Sequence, residues 1–188
     1  MNRFALADTV EVIAHRGFSA VAPENTLASL RAAMEAGADA LEFDLQVSAD
    51  GVAFLFHDDT LDRTTDGAGA IREWAARDLE GVDAGSWFGE RFRGEPVPPL
   101  GDALELAARW PGRLYPELKG APTPEEVGRL VAQFTDHGLM ERSVFIAIDW
   151  TLLDHVRAHA PAAAVGYIVN KPRRTEAALE RAAGDPLA

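Results

Sequence analysis

Short apolar runs rich in β-branched and aromatic residues recur along this chain, and most neighbouring runs are separated by a stretch with helical spacing. The runs cover Val10–Ala14, Ala40–Val47, Val52–Phe56, Arg113–Leu118, Val144–Ile148 and Ala164–Val169. Strands that alternate with helices are typical of α/β proteins, in which helices cover a mostly parallel sheet. We therefore predict an α/β fold.

Helical periodicity is clearest in the first helical stretch, where Leu27, Leu30 and Met34 share one face. Gly37 follows as a helix stop, because glycine readily ends a helix. The predicted helices are Asn25–Ala36, Gly101–Arg109, Pro124–His137, Trp150–His159 and Thr175–Ala183.

The segment 59–100 contains more glycine and proline turns than a plain connection between strands would need. We predict an inserted loop region that lies over one end of the sheet or barrel. Its aromatic residues either wall a substrate cleft or form a satellite apolar cluster under the loop. These residues are Trp74, Trp87, Phe88 and Phe92.

The connection between the second and third runs breaks the pattern, since only residues 48–51 separate them. A parallel crossover needs about a dozen residues, so these two strands are predicted to form a hairpin. A two-residue turn at Asp50-Gly51 would place Asp44 opposite His57, with the two side chains on one face. A bulge would shift this register by one residue.

Length and composition restrict the class of protein. With 188 residues and 47% hydrophobic content, the chain is predicted to form a single domain over 1–188, with the insertion at about 59–100. Its formal charge of -12 argues against nucleic acid as a partner, because an acidic protein repels a phosphate backbone. No run has the length of a signal peptide core or a membrane span, so we expect a cytoplasmic protein. The absence of cysteine excludes thiolate chemistry.

Acidic side chains alternate with apolar ones in the second run. Glu42, Asp44 and Gln46 share one strand face, and Glu117 with Lys119 repeats the same spacing in a later strand. An amphipathic strand with a solvated face is the simpler interpretation. If the carboxylates converge, however, a cation must join them, and oxygen ligands favour Mg²⁺ or Ca²⁺, with Mn²⁺ or Zn²⁺ open if histidine participates.

Two histidines, His15 and His57, each end an apolar strand. Either one alone could merely cap a loop, but together they suit an acid and a base, because the imidazole pKa lies near neutrality. Arg16 and Lys119 add the positive charge that an anionic phosphate needs. The remaining histidines lie on predicted helices, where we expect solvent exposure and assign no role. They are His137, His155 and His159.

The order and spacing of these motifs resemble the glycerophosphodiester phosphodiesterase family over about residues 10 to 170. The matching motifs are His15-Arg16-Gly17, Pro23-Glu24-Asn25-Thr26, Glu42-x-Asp44, Asp50-Gly51, His57-Asp58, Leu61-Asp62-Arg63-Thr64-Thr65 and Pro116-Glu117-Leu118-Lys119. The resemblance implies a distorted TIM barrel of the phospholipase-C-like phosphodiesterase type. It also implies metal-dependent hydrolysis of glycerophosphodiesters to glycerol 3-phosphate and an alcohol.

The resemblance also implies roles for particular residues. His15 and His57 would be the general acid/base pair, and Arg16 and Lys119 would contact the substrate phosphate. The metal, Mg²⁺ or Ca²⁺ with Mn²⁺ also open, would be held by Glu42, Asp44 and Glu117. Whether water or a substrate hydroxyl attacks phosphorus is left open.

The chain departs from the family after the sixth strand. Family members continue through two further strand–helix units, which close the barrel and bring a late tryptophan to the site, whereas here only one helical stretch follows. The fifth strand also has Ala147-Ile148-Asp149 where a Ser-Phe-Asp run is common. We expect a barrel truncated before its last two units, with exposed edges. Either a partner chain, such as a second copy in a homo-oligomer, covers the gap, or a C-terminal portion is missing from this sequence.

Other functions compete with the diesterase. A truncated, inactive module could bind a phosphodiester without turning it over, since a missing wall would leave the reacting geometry loose. A lysophospholipase D or sphingomyelinase D-like specificity would use similar residues. A metal amidohydrolase fits poorly, because His15-Arg16-Gly17 replaces the expected His-x-His ligand pair.

Overall fold

A computed structural model describes residues 10–170 and 174–184 of the protein. The strands are β1 (Ile13–His15), β2 (Ala40–Val47), β3 (Ala53–Leu55), β4 (Arg113–Leu118), β5 (Val144–Ala147) and β6 (Ala164–Tyr167). The α-helices are α1 (Leu27–Glu35), α2 (Ala76–Leu79), α3 (Leu100–Ala108), α4 (Pro124–Asp136), α5 (Trp150–His159) and α6 (Arg174–Ala183). Short 3₁₀ turns cover Leu61–Arg63, Ile71–Glu73, Glu90–Phe92 and Met140–Arg142.

The strands form one sheet in the order β1-β2-β4-β5-β6, and each neighbouring pair in this order is parallel. β3 pairs with β2 in the antiparallel sense. Helices connect the successive parallel strands, so the predicted α/β fold is confirmed. Among the described residues, β1 and β6 are the sheet edges and do not pair with each other.

The core lies between the sheet and the helices that follow its strands. All eight residues of β2 are buried, which fits a central strand whose two faces are both covered. On the helix-facing side, Phe43 and Leu45 pack with apolar residues of α1, α3, α4 and α5. This packing turns the other face of β2, with its polar residues, away from these helices.

Two helices, α1 and α4, begin after a threonine that caps the helix N-terminus. Thr26 and Thr123 each cap the helix that follows with a reciprocal capping box, through Ser29 and Glu126 respectively. α4 also has Pro124 in its first turn, where a missing N–H costs nothing. These local signals fix where α1 and α4 start.

The hairpin register differs from the prediction by one residue. Leu45 pairs with Leu55 and Val47 with Ala53, so Asp44 lies opposite Phe56 and not opposite His57. The Phe56 N–H accordingly donates to the Asp44 carbonyl at 3.0 Å. The cause is a three-residue turn: the Ser48 N–H donates to the Val52 carbonyl, and Gly51 has a φ of 82°. Glycine adopts this left-handed conformation at little cost.

The inserted region 59–100 has its own apolar cluster, separate from the main core. Leu61, Ile71 and Leu79 from the insertion pack there with Phe54 and Phe56, and Trp74 borders the cluster. This supports the satellite-cluster interpretation for Trp74. The other three aromatics contact one another edge to face: Trp87 with Phe88, and Phe88 with Phe92. That they wall a substrate cleft stays a prediction.

No helix among the described residues is both long and apolar enough to cross a membrane. The expected cytoplasmic location stays a prediction.

Candidate functional site

Six of the seven predicted site residues lie on or just after β1, β2 and β4, towards the carboxyl ends of these strands, and His57 follows β3. His15, the last residue of β1, is in register with Glu42 of β2, and Asp44 of β2 is in register with Glu117 of β4. Lys119 directly follows β4. Parallel strands present their carboxyl ends at one edge of the sheet, which is where ligands bind in α/β folds.

Three carboxylates converge in the middle of this group. Glu42, Asp44 and Glu117 each offer one oxygen, and these oxygens lie within 4.8 Å of one another. The residues are only 6%, 0% and 7% exposed, so water cannot screen their charges. The convergence predicted from the strand alternation is therefore confirmed, and the simpler interpretation of a solvated strand face is wrong.

The donor set fits a hard divalent cation. One oxygen of each carboxylate is fully buried: Glu42 Oε1, which has no hydrogen-bond partner among the described residues, and Asp44 Oδ1 and Glu117 Oε1, which contact Lys119. Burial, together with the negative charge of Asp44, raises the pKa of Glu42 to about 8. Three buried carboxylates are costly unless a positive charge joins them, and Mg²⁺ and Ca²⁺ prefer carboxylate oxygens.

Lys119 supplies part of that positive charge. Its Nζ lies 2.6 Å from Glu117 Oε1 and 3.2 Å from Asp44 Oδ1. Burial alone would lower the pKa of Lys119, but its contacts with Glu117 and Asp44 outweigh this and raise the pKa. The ammonium therefore stays charged beside the carboxylate cluster.

Arg16 contributes both its backbone and its side chain. Its φ of 57° directs the backbone N–H to Glu42 Oε2 at 2.8 Å. Its Nε lies 3.2 Å from Asp44 Oδ2, and its Nη1 donates to Glu24 Oε1 at 2.8 Å. The next residue, Gly17, also has a positive φ, and a Cβ there would lie 2.5 Å from Ser29 Oγ. The chain therefore needs glycine after Arg16.

The two candidate acid/base residues lie in different surroundings. His15 has 67% of its side chain exposed, and its Nε2 lies 3.9 Å from Glu42 Oε2. His57 has 31% of its side chain exposed, and its Nδ1 lies 2.5 Å from Asp58 Oδ1. A hydrogen bond from Nδ1 to a carboxylate leaves Nε2 free to exchange protons. Hydrogen bonding from Arg63 to Asp58 is the main cause that lowers the pKa of Asp58 to about 2.

Four residues that support the site were not assigned roles from the sequence. Asn25 accepts from the Asp44 N–H at 3.1 Å and donates from Nδ2 to Asp44 Oδ2 at 2.8 Å. The others, Glu24, Asp58 and Arg63, form ion pairs around Arg16 and His57. Their one signal was membership of the family-like motifs, because loop residues have no periodicity from which to infer their contacts.

The other histidines lie away from the carboxyl edge, on or just after α4 and α5. His159 is exposed as expected, but His137 and His155 are half-buried, so the prediction of solvent exposure was wrong for these two. The His137 ring contacts the Gln133 carbonyl one helical turn earlier, at 2.8 Å.

Fold and site together define a parallel α/β protein with a buried acidic centre of the hard-cation type. Residues 15–186 match the model of the glycerophosphoryl diester phosphodiesterase family, and the chain belongs to that family.

Curated relatives agree with this assignment. The chain is 36% identical over 161 residues to a glycerophosphodiester phosphodiesterase of Caldanaerobacter subterraneus subsp. tengcongensis, covering 84% of this chain and 65% of that protein. It is 35% identical over 142 residues to a glycerophosphodiester phosphodiesterase of Bacillus subtilis, covering 71% of this chain and 48% of that protein. The chain thus spans about half to two thirds of the length of these relatives.

A similar solved structure is that of an Oleispira antarctica phosphodiesterase in complex with the product sn-glycerol-3-phosphate. It superposes with a TM-score of 0.80 at 36% identity, covering 93% of this chain and 71% of that one. The fold expected from the motifs, a TIM-barrel-like α/β fold of the phosphodiesterase type, is confirmed.

Proposed function

We propose that this protein hydrolyses glycerophosphodiesters to glycerol 3-phosphate and an alcohol with the help of a divalent metal. The observation that carries the proposal is the buried cluster of Glu42, Asp44 and Glu117, whose ligand oxygens lie within 4.8 Å of one another beside Lys119. Family membership supports the reaction class. The product bound by the Oleispira antarctica phosphodiesterase supports the substrate class.

The metal would be held by Glu42, Asp44 and Glu117, with Mg²⁺ or Ca²⁺ as first candidates and Mn²⁺ next. When bound, it would supply Lewis-acid stabilisation of the negative charge that develops on the phosphate. Asn25 holds the carboxylate and backbone of Asp44 in place with two hydrogen bonds. Such outer contacts orient ligand atoms before a metal arrives.

His15 and His57 would transfer protons on the two sides of the phosphate. One imidazole takes a proton from the attacking oxygen, and the other gives a proton to the alcohol oxygen that leaves. The Asp58 carboxylate accepts from His57 Nδ1, so His57 would use Nε2 for this transfer. His15 lies next to Glu42 and remains accessible to a substrate from solvent.

Arg16 and Lys119 would bind the phosphate oxygens. Both cations contact Asp44 of the carboxylate cluster, and both side chains are largely buried, at 19% and 16% exposed. Charge-assisted hydrogen bonds are stronger in such a weakly screened site than in water. The two residues would create a local positive potential that attracts an anion to an otherwise acidic protein.

The binding-module alternative has one observation in its favour. The chain spans about half to two thirds of the curated relatives, and β1 and β6 are unpaired edges among the described residues. Part of the wall that surrounds a substrate in a closed barrel is absent from the described sheet. A phosphodiester could then bind without the precise orientation that turnover requires.

The deciding assay is release of glycerol 3-phosphate from glycerophosphocholine in the presence of Mg²⁺, Ca²⁺ or Mn²⁺. We expect metal-dependent product, with activity reduced about 10²- to 10⁴-fold by His15→Ala or by His57→Ala. His155→Ala is the matched control, because this histidine lies on α5 and belongs to no site contact described above. Metal and substrate binding without product would favour the binding module.

We also propose that a second copy of the chain covers the open edges of the sheet. β1 is one such edge: its first residue, Ile13, is 43% exposed, and Val12 just before the strand is 58% exposed. Exposed apolar edge strands tend to pair with another chain. Light scattering coupled to size-exclusion chromatography should give a dimer or larger species, and a monomer at all concentrations would contradict this.

A further inference from the structure

The guanidinium of Arg63 lies between two carboxylates that belong to opposite parts of the site. Its Nε donates to Asp58 Oδ2 at 2.5 Å and its Nη2 to Asp58 Oδ1 at 3.1 Å. The same Nη2 donates to Glu24 Oε1 at 2.7 Å, and Nη1 donates to Glu24 Oε2 at 3.1 Å. Arg63 therefore makes a forked contact with each carboxylate.

Each of these carboxylates in turn holds a residue of the proposed machinery. Asp58 contacts Nδ1 of His57 at 2.5 Å. Glu24 accepts from Nη1 of Arg16 at 2.8 Å, and Arg16 Nε lies 3.2 Å from Asp44. A continuous chain of charged contacts thus joins the proposed acid/base residue to the metal cluster, and Arg63 is its middle link.

The local fold explains how Arg63 reaches both partners. It ends the 3₁₀ turn Leu61–Arg63, whose first residue is fully buried in the apolar cluster of the insertion. Glu24 lies in the loop before α1, 39 positions earlier in sequence. The insertion and the β1–α1 loop therefore meet at this guanidinium.

We propose that Arg63 is a positioning residue that aligns His57, through Asp58, with Arg16, through Glu24. The inference rests on the proposed function and extends it to a residue that does not touch the metal cluster. Only arginine has the planar fork that engages two carboxylates at once, so lysine should replace it poorly.

A purely structural role is a weaker explanation for the same contacts. The Arg63 side chain is 46% exposed, and exposed ion pairs contribute little to stability. If Arg63 only braced the surface, its loss would change neither the chemical step nor the protonation pattern of the His57 ring.

The test compares Arg63→Gln and Arg63→Lys with Arg93→Gln in the full chain. Arg93 is a matched control, because it also makes a forked ion pair at the end of a 3₁₀ turn in the insertion, with Glu90, and is 66% exposed. We expect kcat to fall by about 10- to 100-fold in Arg63→Gln, in the range seen when an outer contact of a metal site is lost. KM should change less, Arg63→Lys should recover part of kcat, and Arg93→Gln should match the wild type.

A second measurement does not depend on activity. Long-range ¹H–¹⁵N correlation spectra report which ring nitrogen of each histidine carries the proton. The signals of His57 are identified by their absence from the spectrum of the His57→Ala variant. We expect a predominant Nδ1–H tautomer for His57 in the wild type and in Arg93→Gln, and a mixture of tautomers in Arg63→Gln. An unchanged tautomer and an unchanged kcat in Arg63→Gln would overturn the proposal.

The two measurements also separate the two hypotheses. If the wild type releases no glycerol 3-phosphate, the proposed function fails, while the ring protonation of His57 still decides the role of Arg63. If Arg63→Gln unfolds, the spectra of Arg63→Lys test the role of Arg63 instead. A wild-type tautomer of His57 in Arg63→Lys would show that the forked guanidinium is not needed and would contradict the proposal.

Discussion

One row of residues in register crosses the sheet, and these residues are acidic in β2 and β4 but uncharged in β5 and β6. Asp44 of β2 is in register with Glu117 of β4, Glu117 with Ile146 of β5, and Ile146 with Gly166 of β6. Two carboxylates on one side thus give way to an isoleucine and a glycine on the other. We therefore call β1, β2 and β4, which carry the candidate site residues, the chemical half of the sheet. β5 and β6, whose residues in this row are uncharged, form the packing half.

A carboxylate does follow β5, but it serves a different purpose. Asp149 accepts hydrogen bonds from the Thr151 N–H and the Thr151 hydroxyl and so caps α5. Asp44 instead lies fully buried between Arg16, Asn25 and Lys119. The same residue type near two strand ends can thus be a helix cap or a candidate ligand, and its burial separates the cases.

The largest expected effect tests the packing half. Phe145 of β5 is fully buried and packs edge to face on Phe134 of α4, with ring centroids 4.9 Å apart. Phe145→Ala should reduce the free energy of unfolding by about 3–5 kcal/mol, because it leaves a cavity in the main core. Chemical denaturation measures the loss. A change below about 1 kcal/mol would mean that β5 contributes little to the core.

The next effect tests the chemical half with one substitution made on both sides. Asp44→Asn should lower kcat by about 10²- to 10³-fold and abolish stabilisation of the protein by Mg²⁺ or Ca²⁺. Asp149→Asn should retain activity, because asparagine caps helices as well as aspartate does. Steady-state kinetics and thermal unfolding with and without metal measure both. Equal kinetic losses in the two variants would remove the distinction between the halves.

A smaller effect isolates the cap itself. Asp149→Ala should destabilise the protein by about 1 kcal/mol, since the Thr151 N–H loses its side-chain acceptor. The metal-dependent shift in unfolding temperature should stay as in the wild type. A loss of that metal-dependent shift would place Asp149 in the site after all.

The smallest effect concerns pH and the ion pairs beside the site. The folded-state pKa of Asp58 is lowered from 3.8 to about 2, so its contribution to stability is complete above pH 3.8 and is lost as the pH falls towards 2. For an ion pair this exposed, the contribution is at most about 1 kcal/mol. Urea unfolding at pH 5 and pH 2.5 should give a larger difference for the wild type than for Arg63→Gln. Identical differences would mean that the pair adds nothing to folding.

Much of the fold could be predicted because its signals are local. The bounds of β2, β4 and α5 agree with the apolar runs and helical spacing in the sequence. β1 was predicted at Val10–Ala14 but lies at Ile13–His15. The apolar pattern begins at Val10, whereas pairing with β2 begins only at Ile13, opposite Ala40. The hairpin register was wrong by one, because Asp50-Gly51 fits a two-residue turn as well as the last part of a three-residue turn.

The site was predictable in its strand residues and not in its loop residues. Alternation along β2 puts Glu42 and Asp44 on one face, and the repeated spacing of Glu117 and Lys119 in a later strand, together with the family motifs, indicated that Glu117 joins them. The contacts of Glu24 with Arg63 join positions 39 residues apart through two loops. No periodicity encodes such a pair, so tertiary structure was needed to find it.

The left-handed backbone of Arg16 has a consequence for how this site can be dissected. Part of what Arg16 gives to Glu42 comes from its main-chain N–H, which every replacement except proline retains. An alanine scan would therefore measure only the part of Arg16 that reaches Asp44 and Glu24, because arginine and alanine both carry a Cβ and bear the same strain at a φ of 57°. Replacing the peptide N–H by an ester oxygen would isolate the remainder, so the chain itself should be counted among the functional groups of this site.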